Sequence, residues 1–178
     1  GVSAIIMEDK IGLKKNSLFP DQQGVKQDSV RNFCSKIKKA KESVISDDFY
    51  VISRIESLIL GKSVEHALNR AIAYCKAGTD CIMIHSKDNN PKTIFKFAKK
   101  FMKSKYQRPL IAVPSTYSQT YEKDLTEKGF RIVIYANQLL RSSYFSMLNT
   151  AKNILKHERA SDAEKNISSV KEILELIN

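Results

Sequence analysis

Five times along the chain a short apolar run of strand character is followed by a segment with helical spacing, and this alternation limits the fold more than any other feature. Ser3-Ala4-Ile5-Ile6-Met7 reads as a buried strand, and a polar loop follows from Lys10 to about Val25. Between Asp28 and about Ser43, Val30, Phe33, Cys34, Ile37 and Ala40 recur at helical intervals. Phe49 to Arg54 is strand-like. Ser63 then suits an N-cap for a helix through Lys76, with Gly78 where a C′ glycine belongs. The same sequence of signals returns in Asp80 to His85, a helix opening at Pro91 and running to about Ser104, and the strand Pro109 to Val113. A short helix Tyr121 to Lys128 ends at Gly129, and Phe130 to Tyr135 is the fifth strand. A long helix runs from Asn137 to about His157. A last amphipathic helix spans about Ser161 to Ile177, with Ile167, Val170, Ile173, Leu174 and Ile177 on one face.

Continuous apolar strands separated by helices imply a parallel sheet covered by helices, in one α/β domain over residues 1–178. Two architectures suit the pattern: an open doubly wound sheet, or part of a barrel that needs eight strands to close. The chain begins almost at once with a strand and without a starting methionine, so it reads as a piece of a longer protein.

Composition removes several function classes. A hydrophobic fraction of 42% with 28% charge is that of a folded globular protein. Apolar runs such as Ala4 to Met7 are too short for a bilayer, and no signal-peptide pattern opens the chain. Cys34, Cys75 and Cys81 have no metal-ligand spacing and fit reduced, buried thiols of a cytoplasmic protein. The net charge of +11 raises the question of nucleic acid. Its lysine groups, Lys36/Lys38/Lys39/Lys41 and Lys96/Lys99/Lys100/Lys103/Lys105, fall on helices and lack interleaved aromatics for base stacking. They read as solvated helix faces, and no nucleic-acid partner is expected.

In either architecture, chemistry belongs at the C-terminal ends of the strands. Those ends carry Glu8, Asp9 and Lys10; Arg54 and Glu56; His85, Ser86 and Lys87; Pro114, Ser115 and Thr116; and Asn137. Singly, each suits a solvated loop or a structural ion pair such as Arg54 with Glu56. Together they set carboxylates for a metal and donors for an anion on one face. Arg54 can donate two parallel hydrogen bonds to an anion, His85 can donate or shuttle a proton, and Glu8 can take a hard cation directly or through water. No Gly-rich phosphate loop, H-E-x-x-H or C-x-x-C motif is present, which disfavours a nucleotide enzyme.

These residues resemble a known family. Glu8-Asp9-Lys10 followed by Lys14-Lys15-Asn16-Ser17-Leu18 is similar to the E-D-K…K-x-N-S-L segment of the phosphoenolpyruvate mutases of the isocitrate lyase superfamily. Ile52-Ser53-Arg54-Ile55-Glu56, Ile84-His85-Ser86-Lys87, Val113-Pro114-Ser115-Thr116-Tyr117, and Tyr135-Ala136-Asn137 with Arg141 match further family stretches in order. The resemblance implies the five C-terminal βα units of a (β/α)8 barrel with a helical tail, in an oligomer that exchanges a C-terminal helix between subunits. It implies interconversion of phosphoenolpyruvate and phosphonopyruvate with Mg2+. Lys14, Asn16, Ser17 and Leu18 would belong to a mobile loop closing over the substrate. Asn16, Arg54 and His85 would serve the reacting phosphoryl group, and Glu8 would reach the metal through water.

Two departures from the family pattern are visible. Ile11-Gly12-Leu13 replaces an aromatic-proline pair before the loop lysine. The family's first strands, which bring its metal-binding aspartates, have no counterpart here, so the chain alone is expected to be inactive. Three alternatives stand beside the mutase. Phosphonopyruvate hydrolase resembles a threonine at the position of Asn16. Methylisocitrate or oxaloacetate lyases resemble a K-[KR]-C-G-H loop that is absent here. The last alternative is a basic binding module without catalysis.

Overall fold

The computed structural model describes residues 1–12 and 15–177. The chain divides into two compact units, residues 1–135 and the residues from 136 onward.

In the first unit, five strands form one parallel sheet: β1 (Ala4–Glu8), β4 (Tyr50–Ile55), β5 (Cys81–Ile84), β6 (Leu110–Ala112) and β7 (Phe130–Val133). They lie side by side in chain order, each hydrogen-bonded to the next. An open doubly wound sheet reverses its strand order at a switch point, and this sheet has no reversal. The order is that of a barrel wall. β-Branched residues dominate the buried strands, as in Val51, Ile52 and Ile55 of β4.

Helices α1 (Val30–Glu42), α2 (Val64–Ala77), α3 (Lys92–Phe101) and α4 (Glu122–Glu127) connect the strands. Their buried residues follow the helical period: Ala67, Arg70, Ala71 and Tyr74 on α2, and Ile94, Phe97, Ala98 and Phe101 on α3. Packed against Ile55, Ile82, Ile84 and Leu110, they form the main core. Ser29 and Ser63 cap α1 and α2 through side-chain bonds to Asn32 and His66 N–H groups. Gly78 ends α2 at φ 106°, a left-handed conformation that glycine adopts without strain.

One element departs from expectation here. The stretch read as a polar loop from Lys10 to Val25 is flanked by a small antiparallel ladder, β2 (Lys10–Ile11) against β3 (Lys26–Gln27). Two-residue strands carry no periodicity from which to read them.

The second unit holds α5 (Gln138–His157), a 3-10 turn (Glu164–Asn166) and α6 (Val170–Ile177). The single helix expected from Ser161 to Ile177 is therefore two pieces. Ile167 is extended at φ −129°, and the helix restarts with Ser169 and Glu172 bonding each other's backbone N–H groups. Large apolar side chains stand exposed on both helices, among them Leu139, Leu140, Phe145, Leu155, Leu176 and Ile177.

Cys34, Cys75 and Cys81 are free, and burial pushes their thiols up, Cys75 to about 11. Cys75 and Cys81 lie in the core and Cys34 packs against it, surroundings that disfavour the reactive thiolate. Several lysines of the basic groups are engaged locally, Lys36 with Asp28 at 2.7 Å and Lys41 with Asp80 at 2.9 Å. No helix among the described residues is long and apolar enough to cross a membrane.

Candidate active site

The sheet register brings the polar strand ends together. Glu8 of β1 pairs in register with Arg54 of β4, and Ile55 pairs with Ile84 of β5. Glu56 and His85 follow directly beyond that last pair. The β2 ladder adds Lys10 and the turn behind it adds Ser17, so residues far apart in sequence share one buried cluster.

Glu56 is its centre. The carboxylate is fully buried and accepts from Arg54 Nε at 2.6 Å, from the Ser17 hydroxyl at 2.6 Å and from Lys10 Nζ at 3.0 Å. The Ser17 hydroxyl in turn accepts from Arg54 Nη2 and from Lys10 Nζ, each at 2.8 Å. Burial opposes the charge on Glu56, but Arg54 with Ser17 and Lys10 outweighs it and holds the carboxyl below its ordinary value. Glu8 stands at the edge, with Arg54 Nη1 at 3.4 Å and Lys10 Nζ at 3.7 Å.

His85 is 5% exposed. Burial, then the Arg54 and Lys10 charges, depress its pKa to about 4 against the pull of Glu56. At neutral pH it is a neutral imidazole, which can donate one N–H and accept at the other nitrogen. Its Nδ1 is buried and has no hydrogen-bond partner among the described residues.

The structure thus gathers Glu8, Lys10, Ser17, Arg54, Glu56 and His85 from the residues singled out in sequence. Arg54 is both a site residue and one half of the Arg54–Glu56 ion pair. Asn16 lies apart: it is exposed, and its side-chain oxygen accepts from the Leu18 N–H at 2.9 Å, closing its own turn. Leu18 is also exposed. Lys14 lies outside the described residues. Ser86 is buried and accepts from the Asp88 N–H at 3.1 Å, while the Thr116 hydroxyl donates to the Ser86 carbonyl at 3.3 Å, tying the β5 and β6 loops. Asn137 belongs to the second unit, where it precedes α5.

Of a second group only Asp9 was named from the sequence; its partners Gln27, Arg70 and Tyr74, which meet it through hydrogen bonds, were not. The available signal was Arg70 itself, a charged residue on the apolar stripe of α2 with Tyr74 one turn on.

The donor set limits any metal. Among the described residues no group of three or more His, Cys, Asp and Glu side chains is placed to hold an ion. Glu56 is consumed by Arg54 and Lys10. Only the edge carboxylate of Glu8, 18% exposed, suits a hard cation, as one contact through water and not as a coordination sphere.

Comparison with known proteins gives this geometry its context. Residues 1–155 match the family model "Phosphoenolpyruvate phosphomutase". The chain is 34% identical to the phosphoenolpyruvate phosphomutase of Tetrahymena pyriformis, covering 98% of itself and 57% of that enzyme. A phosphoenolpyruvate phosphomutase structure from Streptomyces platensis subsp. rosaceus superposes with a TM-score of 0.93 at 34% identity, covering 99% of this chain and 60% of the other. Phosphonopyruvate hydrolase is equally near. The enzyme of a Variovorax species is 36% identical over 99% of this chain and 60% of its own. A hydrolase structure in complex with oxalate and Mg2+ superposes with a TM-score of 0.87 at 34% identity, covering 99% of this chain and 59% of its own. The chain thus spans a little over half the length of these relatives. On the family match, the chain-order parallel sheet and the charged cluster at its strand ends, the chain belongs to the phosphoenolpyruvate phosphomutase family.

Proposed function

We propose that the protein interconverts phosphonopyruvate and phosphoenolpyruvate. In that isomerisation the bond from phosphorus to the methylene carbon breaks, and a bond from phosphorus to the enolate oxygen forms. No group is lost, so water must be kept from the phosphoryl group in transit.

The carrying observation is the buried Arg54–Glu56–Lys10–Ser17 cluster beside a neutral His85 whose Nδ1 has no hydrogen-bond partner among the described residues. Arg54 and Lys10 bring two cations to one place, as an anionic phosphoryl or carboxylate group requires. The His85 N–H donates without adding charge. Asn16, from the exposed turn beside Ser17, reaches the phosphoryl oxygens when the loop to which Lys14, Ser17 and Leu18 also belong closes over the substrate. Mg2+ is the expected cation, with Glu8 contacting it through water. Support comes from the partly exposed Glu8 carboxylate, held only by longer contacts to Arg54 at 3.4 Å and Lys10 at 3.7 Å, and from the Mg2+ complex of the hydrolase relative.

The 36% identity to a hydrolase keeps phosphonopyruvate hydrolysis as the second reading. Asn16 favours the mutase. Loop residues Asn16-Ser17-Leu18 offer no cysteine for a carbon–carbon lyase. The exposed apolar faces of α5 and α6 support an oligomer with an exchanged C-terminal helix, and the free thiols support a cytoplasmic setting. Coupled assays on phosphonopyruvate with Mg2+ test the reaction: phosphoenolpyruvate without pyruvate is the expected product, and stoichiometric pyruvate establishes the hydrolase instead.

A further inference from the structure

Behind the charged cluster lies the buried group that the proposed reaction does not use directly. Asp9 stands between Glu8 and Lys10, at the bend between β1 and β2, but turns its carboxylate toward α2, away from theirs. It is fully buried. Four donors converge on it. The Glu56 backbone N–H reaches Oδ1 at 2.9 Å. The Tyr74 hydroxyl, Gln27 Nε2 and Arg70 Nη1 reach Oδ2 at 2.7, 2.8 and 3.2 Å. Arg70 also donates to the Tyr74 hydroxyl at 2.7 Å and to the Asp28 carbonyl at 2.8 Å. The backbone closes the ring: the Asp28 N–H donates to the Asp9 carbonyl at 2.8 Å, and the Asp9 N–H to the Arg54 carbonyl at 3.1 Å.

Two consequences follow from where these bonds end. Residues 9 and 28 are the two ends of the excursion that carries Lys10 and Ser17, and Arg70 grips both. The Glu56 backbone, which aims the central carboxylate of the site, hangs on the same Asp9 side chain. Stability alone would be served as well by apolar side chains, since a buried ion pair contributes little over a well-packed hydrophobic replacement. Directional bonds add a fixed orientation.

We propose that the Asp9–Tyr74–Arg70 clamp positions the active site: it fixes residues 9 and 28 at the base of the excursion and the backbone of Glu56, so that Lys10 and Ser17 are held in register with the Glu56 carboxylate. Asp9, Tyr74 and Arg70 are positioning residues and touch no substrate. The kinetic consequence rests on the activity proposed above, whereas the mechanical one does not.

Residues 1–178 hold no tryptophan, so Phe19→Trp on the exposed part of the excursion gives a local fluorophore, any tryptophan elsewhere in the full-length protein being replaced by phenylalanine. Phe19→Trp is compared with Phe19→Trp/Tyr74→Phe and Phe19→Trp/Asp9→Asn in the full-length protein. Time-resolved anisotropy and phosphonopyruvate turnover with Mg2+ are read for each, with circular dichroism to confirm folding. Tyr74→Phe deletes one hydroxyl without opening a cavity. Faster local depolarisation is expected, with kcat lowered about fivefold, the loss of one hydrogen bond, and KM moved less than about twofold. Asp9→Asn is expected to exceed it on both readouts. A folded Tyr74→Phe variant with unchanged anisotropy overturns the clamp, whatever its kcat. Should Asp9→Asn fail to fold, Tyr74→Phe decides alone. Looser anisotropy in a protein that never turns over phosphonopyruvate upholds the clamp and rejects the substrate.

Discussion

Replacing Glu56 with glutamine keeps the volume of the side chain and removes its charge. The structure sets the expected cost. Glu56 is fully buried, so no solvent compensates the loss. Lys10, with a side chain only 6% exposed, loses its charged partner at 3.0 Å and keeps Glu8 at 3.7 Å as a carboxylate, beside the Ser17 hydroxyl at 2.8 Å and the Lys15 carbonyl at 3.1 Å. Arg54 is better placed, being 22% exposed with Glu8 at 3.4 Å. Breaking a buried pair by removing one partner costs about 3–5 kcal/mol, and the residual Glu8 contacts put Glu56→Gln at the lower end, about 3 kcal/mol. Equilibrium urea unfolding at pH 7, followed by far-ultraviolet circular dichroism, reads this as a lower midpoint with an unchanged slope. A double-mutant cycle with Arg54→Met should return a coupling of about 1–3 kcal/mol. The Glu56 carboxyl sits below its ordinary value, so its contribution is complete above about 4.5 and is lost as pH falls through the folded-state value. The gap between wild type and variant should therefore narrow in acid. A loss under about 1 kcal/mol at pH 7 would refute the charged cluster as the organising feature of these strand ends.

His85, depressed from 6.5 to about 4, stabilises the fold fully above pH 6.5, and that stability is lost as pH falls toward 4. The shift corresponds to about 3 kcal/mol, and in His85→Gln the slope of stability against pH across this window should flatten; a persistent slope assigns it to other groups. Gly78→Ala places a side chain at φ 106°, where the new Cβ meets only Lys41 Cγ at an ordinary 3.5 Å. The cost is backbone strain of roughly 1–2 kcal/mol, measured by urea unfolding, and no loss would mean that the α2 terminus relaxes freely. Asn16→Ala should lower kcat more than tenfold with an unchanged circular dichroism spectrum, since the side chain is exposed; wild-type turnover would remove the loop asparagine from the mechanism.

Strands and helices were legible because their burial imposes a period: Ile94, Phe97, Ala98 and Phe101 on α3 announce themselves by spacing. Caps were legible too, since Ser63 and Gly78 have chemical reasons to stand where they do. The β2–β3 ladder was not, because two residues per strand make no pattern. The break before α6 stayed hidden for a different reason. Ile167, Val170, Ile173, Leu174 and Ile177 keep a helical period straight through it, although Ser169-Val170-Lys171-Glu172 is a capping box in plain view. At the candidate site, the strand-end rule named Glu8, Lys10, Arg54, Glu56 and His85, which the fold brings together. The Asp9 clamp was harder, because its partners come from α2 and β3, and only folding brings Arg70 and Gln27 to a residue next to Glu8.

Phosphorus NMR of the full-length protein with phosphonopyruvate and Mg2+ tests the proposed reaction most directly. Replacement of the phosphonate resonance by that of phosphoenolpyruvate, with no inorganic phosphate, is the predicted result. Inorganic phosphate accumulating in step with loss of the phosphonate, or a phosphonate resonance that never changes, would contradict it.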